Sequence, residues 1–368
     1  MPLRWHILTG EYPPASGGVG DYTAQLADAL AAAGDSVTVW TPGQSLPDRF
    51  GRKSQHVLQD ALLSTPGILL LQYVPNALGA HGLNLPFCLW LRRIARGGAD
   101  VRVMFHEPYF YFTIAQPWRN ALALVQRTMA SVLLGATKTA YISTETWRRY
   151  LAPRNGSSLE VLPIPSNIPP ALAADAITRQ RRAMAPSGQP VVGHFGTYGD
   201  HVERELLRIL PPLAQRCATA RFAFIGDGSS EFQSRLSARY RDIVARSWAS
   251  GWMHAADVSA ALRACDVLVQ PYPDGITTRR TSAMAGLQHG VPTVTTLGAL
   301  TEAVWVKSAA VRLTPVGDVN AFAKEVDRLL RDSAEAQALG ARGADVYERC
   351  FSLERTLAIL RGVLPDTP

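Results

Sequence analysis

Between two apolar runs, residues 266–270 and 291–294, the chain carries an acid, Asp274, two adjacent arginines, Arg279 and Arg280, and a hydroxyl, Ser282. An alanine-rich stretch follows and ends at Gly290. The pattern reads as a strand that ends in a polar turn and then a short helix. Such a turn aims backbone amides and the positive end of a helix at one point. Arginines there can pair with phosphate, and an acid can hold hydroxyls, so a ligand carrying both fits. Glu302 falls in the loop after the next strand and can face the same crevice as Asp274, unless the two are simply solvated surface acids.

Three further constellations sit at ends of strand-like runs. Gly17, Gly18 and Gly20 occupy a strand-to-helix turn, where backbone amides can approach an anion closely or merely make a tight turn. Their spacing matches neither a dinucleotide fingerprint nor a P-loop. His106 and Glu107 follow the run 101–105, on the side where open parallel sheets bind ligands. Tyr109 and Tyr111 beside them, with Tyr73 and Asn76 after another strand, are candidates for the wall of a second site. Gly196 and Thr197, with Arg204 in the next helix, open the second half, and Gly226 holds the same position one strand later.

The elements that must position these residues alternate. Strands are expected near 5–9, 36–41, 68–72 and 101–105, with a helix over 21–33 for which Asp21 is a plausible N-cap. Prolines cluster at 153, 163, 165, 169 and 170, and again at 186 and 190, around a polar helix over 173–185. The alternation then restarts, with strands over 191–195, 221–225 and 267–270 and helices over 203–216, 231–245 and 257–264. A last helix over 352–364 is apolar on one side and needs a surface to cover. Two parallel doubly wound α/β sheets follow, with domains at 1–168 and 169–350 and a terminal helix within 351–368 that is expected to return to the first domain.

Composition sets the class. At 368 residues the chain exceeds one ordinary core, and 47% hydrophobic with 18% charged residues reads as globular. The net charge of +7 is spread over both halves, with no aromatic-laced basic stripe of the nucleic-acid-binding kind. It suits an anionic small substrate or an anionic membrane face. Four cysteines, Cys88, Cys217, Cys265 and Cys350, lie far apart without metal-ligand spacing, which implies a reduced, cytoplasmic setting. No apolar run approaches the roughly 20 residues of a membrane span. The stretch Leu89, Trp90, Leu91, Arg92, Arg93 allows a peripheral contact with the inner membrane face or is an ordinary amphipathic helix.

Together these motifs resemble the retaining glycosyltransferases of family 4, whose GT-B architecture has two Rossmann-like domains facing a cleft. The resemblance rests on Glu11-Tyr12-Pro13-Pro14 with Gly17, Gly18, Gly20 and Asp21, on Phe105-His106, on Pro163-Ile164-Pro165-Ser166-Asn167, on Gly226-Asp227-Gly228, and on the stretch from Asp266 to Glu302. It implies a metal-independent, retaining hexosyltransferase without cofactor, moving sugar from a nucleoside-diphosphate sugar in the carboxyl-terminal domain to a glycan, lipid-linked or small-molecule acceptor on the amino-terminal one. Bacterial polysaccharide, glycolipid or secondary-metabolite assembly is the implied setting. Gly17 and Gly18 would lie against diphosphate or sugar, His106 would contact the transferred sugar or assist the acceptor, Asp274 would hold sugar hydroxyls, and Glu302 would lie near the nucleotide or sugar. The acceptor would meet Tyr73, Asn76, Glu107 and Tyr109.

The chain departs from the family where two glutamates usually stand eight residues apart: Asp274 and Ser282 take their places. Thr197 stands where an arginine is usual, and Arg279 and Arg280 are expected to take over the diphosphate. Two rival readings are a sugar-nucleotide epimerase or hydrolase on the same scaffold, and a non-catalytic sugar-nucleotide-binding subunit of a partner transferase.

Overall fold

In a computed structural model, residues 1–15, 17–79, 82–110, 112, 117–151, 158–170 and 173–363 are described. The chain divides into two compact units, Met1–Pro163 with Leu353–Pro368, and Ile164–Ser352. The first division thus falls a few residues before the expected 168.

The first unit holds six parallel strands: β1 (Arg4–Leu8), β2 (Ser36–Trp40), β3 (Ile68–Tyr73), β4 (Asp100–Phe105), β5 (Thr139–Ile142) and β6 (Ser158–Val161). Their order across the sheet is β2-β1-β3-β4-β5-β6. All six residues of β3 are buried, as a central parallel strand covered on both faces requires. The second unit repeats the plan with β7 (Val191–Phe195), β8 (Arg221–Ile225), β9 (Ser247–Ala249), β10 (Val267–Gln270), β11 (Thr293–Leu297) and β12 (Arg312–Pro315). Here the order is β12-β11-β10-β7-β8-β9, again all parallel. The two doubly wound sheets expected from the alternation are both present.

Side-chain alternation along a strand divides the second core into two layers. Phe222 and Phe224 of β8 pack with Leu206, Leu210 and Phe322 on one face, while Ala223 and Ile225 join Val258, Leu262 and Leu268 on the other. Gly193 of β7 is needed there, because an added Cβ would lie 2.5 Å from the Cys265 sulfur and 2.9 Å from Leu268.

Three expectations change. The first helix begins at Gly18, not Asp21, and runs Gly18–Ala32. Its first turn is held by the Glu11 carboxylate, which accepts from the amides of Val19 at 3.1 Å and Gly20 at 3.2 Å. The helix expected over 231–245 breaks into Ser229–Ser237 and Arg241–Ala245. Among the described residues the last helix is Leu353–Arg361. As expected of an amphipathic final helix, it covers the first unit: Arg361 pairs with buried Asp35 at 3.4 Å, and Arg102 donates to the Leu360 carbonyl at 2.7 Å. Leu364, the expected end of that helix, lies outside the described residues.

Candidate functional site

In the second sheet the chain starts at β7, winds outward through β8 and β9, then returns to the other side of β7 with β10. That reversal leaves a crevice beyond the carboxyl ends of β7 and β10, the position where open α/β sheets bind ligands. A cavity of about 390 Å³ lies there. Its wall is built by Phe195 at the end of β7 with Gly196 and Thr197 after it, Gly226 and Asp227 after β8, Trp252 and Met253 after β9, and Gln270, Tyr272, Arg279, Arg280 and Ser282 on the β10 side.

Each part is fixed by local bonds. Gln270 donates from Nε2 to the Phe195 carbonyl at 3.0 Å, tying β10 to β7 across the crevice. Tyr272 is held by Thr296, whose Oγ1 accepts from the Tyr272 amide at 2.8 Å and donates to its carbonyl at 2.6 Å. The Tyr272 phenol is bonded to the Ser282 hydroxyl at 2.8 Å, and the Arg280 guanidinium lies 4.6 Å from the centre of the Tyr272 ring. Burial raises the Tyr272 phenol above its ordinary range, while Arg280 and Ser282 pull it back down. Gly226, at φ 112°, lets the loops after β8 and β7 meet, since its Cβ would strike the Gly196 carbonyl oxygen.

The structure brings Thr197, Gly226, Arg279, Arg280 and Ser282 to one wall, and places three other expected residues differently. Glu302 is 6% exposed and spends both carboxylate oxygens on the scaffold. It accepts from Thr278 N at 2.6 Å, Thr278 Oγ1 at 2.7 Å and Trp305 Nε1 at 3.2 Å. It therefore braces the turn that carries the arginines rather than facing a ligand. Asp274 and Arg204 are exposed and outside the cavity wall. Asp274 sits at a backbone crossing where its carbonyl accepts from Leu300 at 2.9 Å and only glycine fits at 298.

Sequence reasoning missed Trp252, Gln270, Tyr272 and His194 as wall residues. His194 lines the cavity from β7 at 2% exposure, and its Nδ1 has no hydrogen-bond partner. Burial lowers its pKa to about 3, so the ring is neutral at physiological pH. A polar residue inside an apolar strand, at its carboxyl end, was the available signal.

The first unit has its own reversal, between β1 and β3. A cavity of about 430 Å³ opens there, walled by Glu11 and Tyr12 after β1, Thr41 and Gln44 after β2, Asn76 after β3, and Arg49. Among the described residues no carboxylate pairs with Arg49. Of the expected acceptor residues only Asn76 is on this wall. Tyr73 is fully buried against Phe105, at 5.0 Å between rings, because β3 has no exposed face. Tyr109 is buried, donating to the Tyr150 carbonyl at 2.7 Å under the Arg127 guanidinium. Glu107 is exposed and off the wall, and Tyr111 lies outside the described residues.

The glycine turn also differs from expectation. The amides of Val19 and Gly20 already hold an anion, the carboxylate of Glu11. Gly17 leaves room for that carboxylate, which its Cβ would strike, whereas Gly18 borders open space. His106 is 7% exposed, bonded through Nε2 to Gln72 Oε1 at 2.7 Å, with Tyr22 edge-on at 5.2 Å. Burial lowers its pKa to about 3. At neutral pH it is a neutral ring fixed by Gln72, suited to hydrogen bonding rather than to accepting a proton. The Leu85–Arg96 helix buries Trp90 and Leu91 and exposes Leu89 and Arg93, so the apolar part of the expected membrane patch is mostly core. Among the described residues no helix is long and apolar enough to cross a membrane.

Residues 189–332, which include all but two of the second cavity's wall residues, match the family model described as Glycosyl transferases group 1. Comparison with curated protein sequences gives no match. Among solved structures, the chain is similar to a sucrose-phosphate synthase from Thermosynechococcus elongatus, with a TM-score of 0.73 at 17% identity over 98% of this chain and 97% of that one. It is also similar to HepE of Anabaena in complex with UDP and glucose, at TM-score 0.65 and 13% identity over 98% of both chains. A third is WaaG, a glycosyltransferase involved in lipopolysaccharide biosynthesis, at TM-score 0.63 and 15% identity over 98% of this chain and 99% of that one. At these identities the likeness establishes the fold, the GT-B arrangement of two Rossmann-like α/β sheets.

Proposed function

We propose that the protein is a retaining glycosyltransferase of the family 4 type. It takes a nucleoside-diphosphate sugar in the cavity of the second unit and an acceptor in the cavity of the first. The observation that carries this reading is Arg279 and Arg280, side by side on the wall at the switch point of the second sheet, within the span matched by the group 1 family model.

The chemistry follows from charge. Departure of a nucleoside diphosphate leaves negative charge on its phosphates, and preorganised cations and amides there lower the barrier. Arg279, Arg280 and the start of the Thr281–Gln288 helix supply positive charge on that wall, so the transfer proceeds without metal. Gly196 and Gly226, lacking side chains, let the ribose beside the diphosphate approach the backbone. The acceptor hydroxyl attacks the anomeric carbon from the face that the diphosphate leaves: the bond from that carbon to the phosphate oxygen breaks, the hydroxyl proton passes to the departing oxygen, and configuration is retained without an enzyme nucleophile. In the first unit, Asn76 and Gln44 offer amides to acceptor hydroxyls, and Arg49 offers a cation that no carboxylate among the described residues pairs. A bacterial, cytoplasmic polysaccharide or glycolipid pathway suits such an acceptor, and Leu89 with Arg93 gives an outward basic and apolar face for a peripheral membrane contact.

The test is a turnover assay with a panel of nucleoside-diphosphate sugars and saccharide or lipid-linked acceptors, in the presence of EDTA. The reading expects acceptor-dependent release of nucleoside diphosphate and a product with the donor's anomeric configuration by proton NMR. An inverted product, or release that needs added divalent cation, contradicts it.

A further inference from the structure

The wall of the second cavity ends, on the side away from the arginines, in an exposed indole. Trp252 is 67% exposed, whereas Tyr272 on the same wall is 3% exposed. We propose that Trp252 is the stacking platform for the base of the nucleotide held in this cavity, an assignment that rests on the donor reading above.

Position is the first argument. Trp252 follows β9, the edge strand, and the arginines follow β10, with β7 and β8 between them. At the usual strand spacing the two strand ends lie about 14 Å apart, the reach of an extended nucleoside diphosphate. A ligand with its phosphates at Arg279 and Arg280 and its ribose over the glycines at 196 and 226 brings its base to Trp252.

Rigidity is the second. Gly251, left-handed at φ 62°, turns the chain so that the indole follows directly. Its amide donates to Ser229 Oγ at 2.8 Å, and its carbonyl accepts from Ser250 Oγ at 2.6 Å. Ser250 Oγ in turn accepts from Gly226 N at 2.9 Å, so the loop bearing Trp252 is tied to the loop beneath the ribose. His254 meets the indole edge-on, with ring centres 4.6 Å apart at 75°, which sets the plane of the ring. A flat apolar face held in place before the ligand arrives loses little freedom on binding and suits any base, because every base has a π-face.

The test titrates the wild type, Trp252→Ala and Trp252→Phe with ADP, GDP, UDP and CDP, and separately with inorganic pyrophosphate, by calorimetry. Circular dichroism confirms that the variants keep the fold. The expected result is a Kd for the preferred nucleoside diphosphate raised about 10- to 100-fold in Trp252→Ala and largely restored in Trp252→Phe. The pyrophosphate Kd stays unchanged in both. Unchanged nucleotide affinity in Trp252→Ala, or an equal loss for pyrophosphate, overturns the platform and leaves the donor reading standing. A wild type that binds none of the four nucleotides overturns both.

Discussion

The Ser282 hydroxyl is bonded to the Tyr272 phenol at 2.8 Å, so the residue standing where the family usually has a glutamate is engaged with the wall of its own cavity. Tyr272 also carries the Arg280 guanidinium over its ring at 4.6 Å, which makes Ser282, Tyr272 and Arg280 one unit. Ser282→Ala and Tyr272→Phe should each cost about 1 kcal/mol of stability, with the double variant costing clearly less than the sum. A double-mutant cycle by urea denaturation measures this, and strict additivity would show that the bond contributes nothing.

Arg279 and Arg280 are expected to act on the diphosphate. Each substitution to alanine should weaken nucleoside diphosphate binding by about 1.5–3 kcal/mol, roughly 10- to 100-fold. Calorimetric Kd values decide it. If both variants bind as the wild type does, the diphosphate lies elsewhere.

Glu302 braces the arginine turn from beneath. Glu302→Ala leaves the Thr278 amide and hydroxyl and the Trp305 indole without their acceptor and should cost about 3 kcal/mol or more. Glu302→Gln keeps acceptor capacity on one side only and should fall between. Thermal melting ranks the three proteins, and donor affinity should follow the same order because the turn carries Arg279 and Arg280.

Glu11 and Gly17 are coupled by space. Gly17 has extended backbone that any residue adopts, so the carboxylate of Glu11 is the obstacle to a side chain there. Gly17→Ala should destabilise the wild type by about 1–3 kcal/mol and the Glu11→Ala background much less. Glu11→Ala alone should cost about 1 kcal/mol as a lost helix cap. An undiminished Gly17→Ala effect without Glu11 refutes the coupling.

Acid sensitivity should begin at the buried histidines. His106 and His194 have pKa values lowered to about 3 by burial, and His289 is lowered as well. The unfolded chain takes up protons near pH 6.5 and the folded chain does not, so stability falls as pH drops below 6.5. Each fully buried ring adds about 1.4 kcal/mol per pH unit between that value and its folded pKa. Unfolding measured from pH 7 to 5 should show this slope, and His194→Gln should flatten it. A flat profile contradicts the burial of these rings.

Much of this fold is legible in the sequence because buried parallel strands write continuous apolar runs, as residues 191–195 and 267–270 do. The strands not expected, β5, β6, β9 and β12, have three or four residues, and three of them lie at sheet edges, where half-exposed positions break the apolar signal. Arg279, Arg280 and Ser282 were readable because one turn carries them. Trp252 and Gln270 join that site only through strand order, which local pattern does not state. Tyr73 was misplaced for a related reason: at the end of a strand buried on both faces, nothing in the sequence separates a wall residue from a core one. Glu302 sits in a loop after a strand as expected, yet its partners Thr278 and Trp305 turn it inward.

The most direct test of the donor reading is the melting temperature of the wild-type protein against ADP, GDP, UDP, CDP and TDP. A ligand at 100 times its Kd stabilises the folded state by about 2.7 kcal/mol, which moves the melting point by a few degrees in a protein of this size. The account predicts such a rise with at least one of the five, lost in the Arg279→Ala, Arg280→Ala double variant. No rise with any of them, or a rise that survives the double substitution, contradicts it.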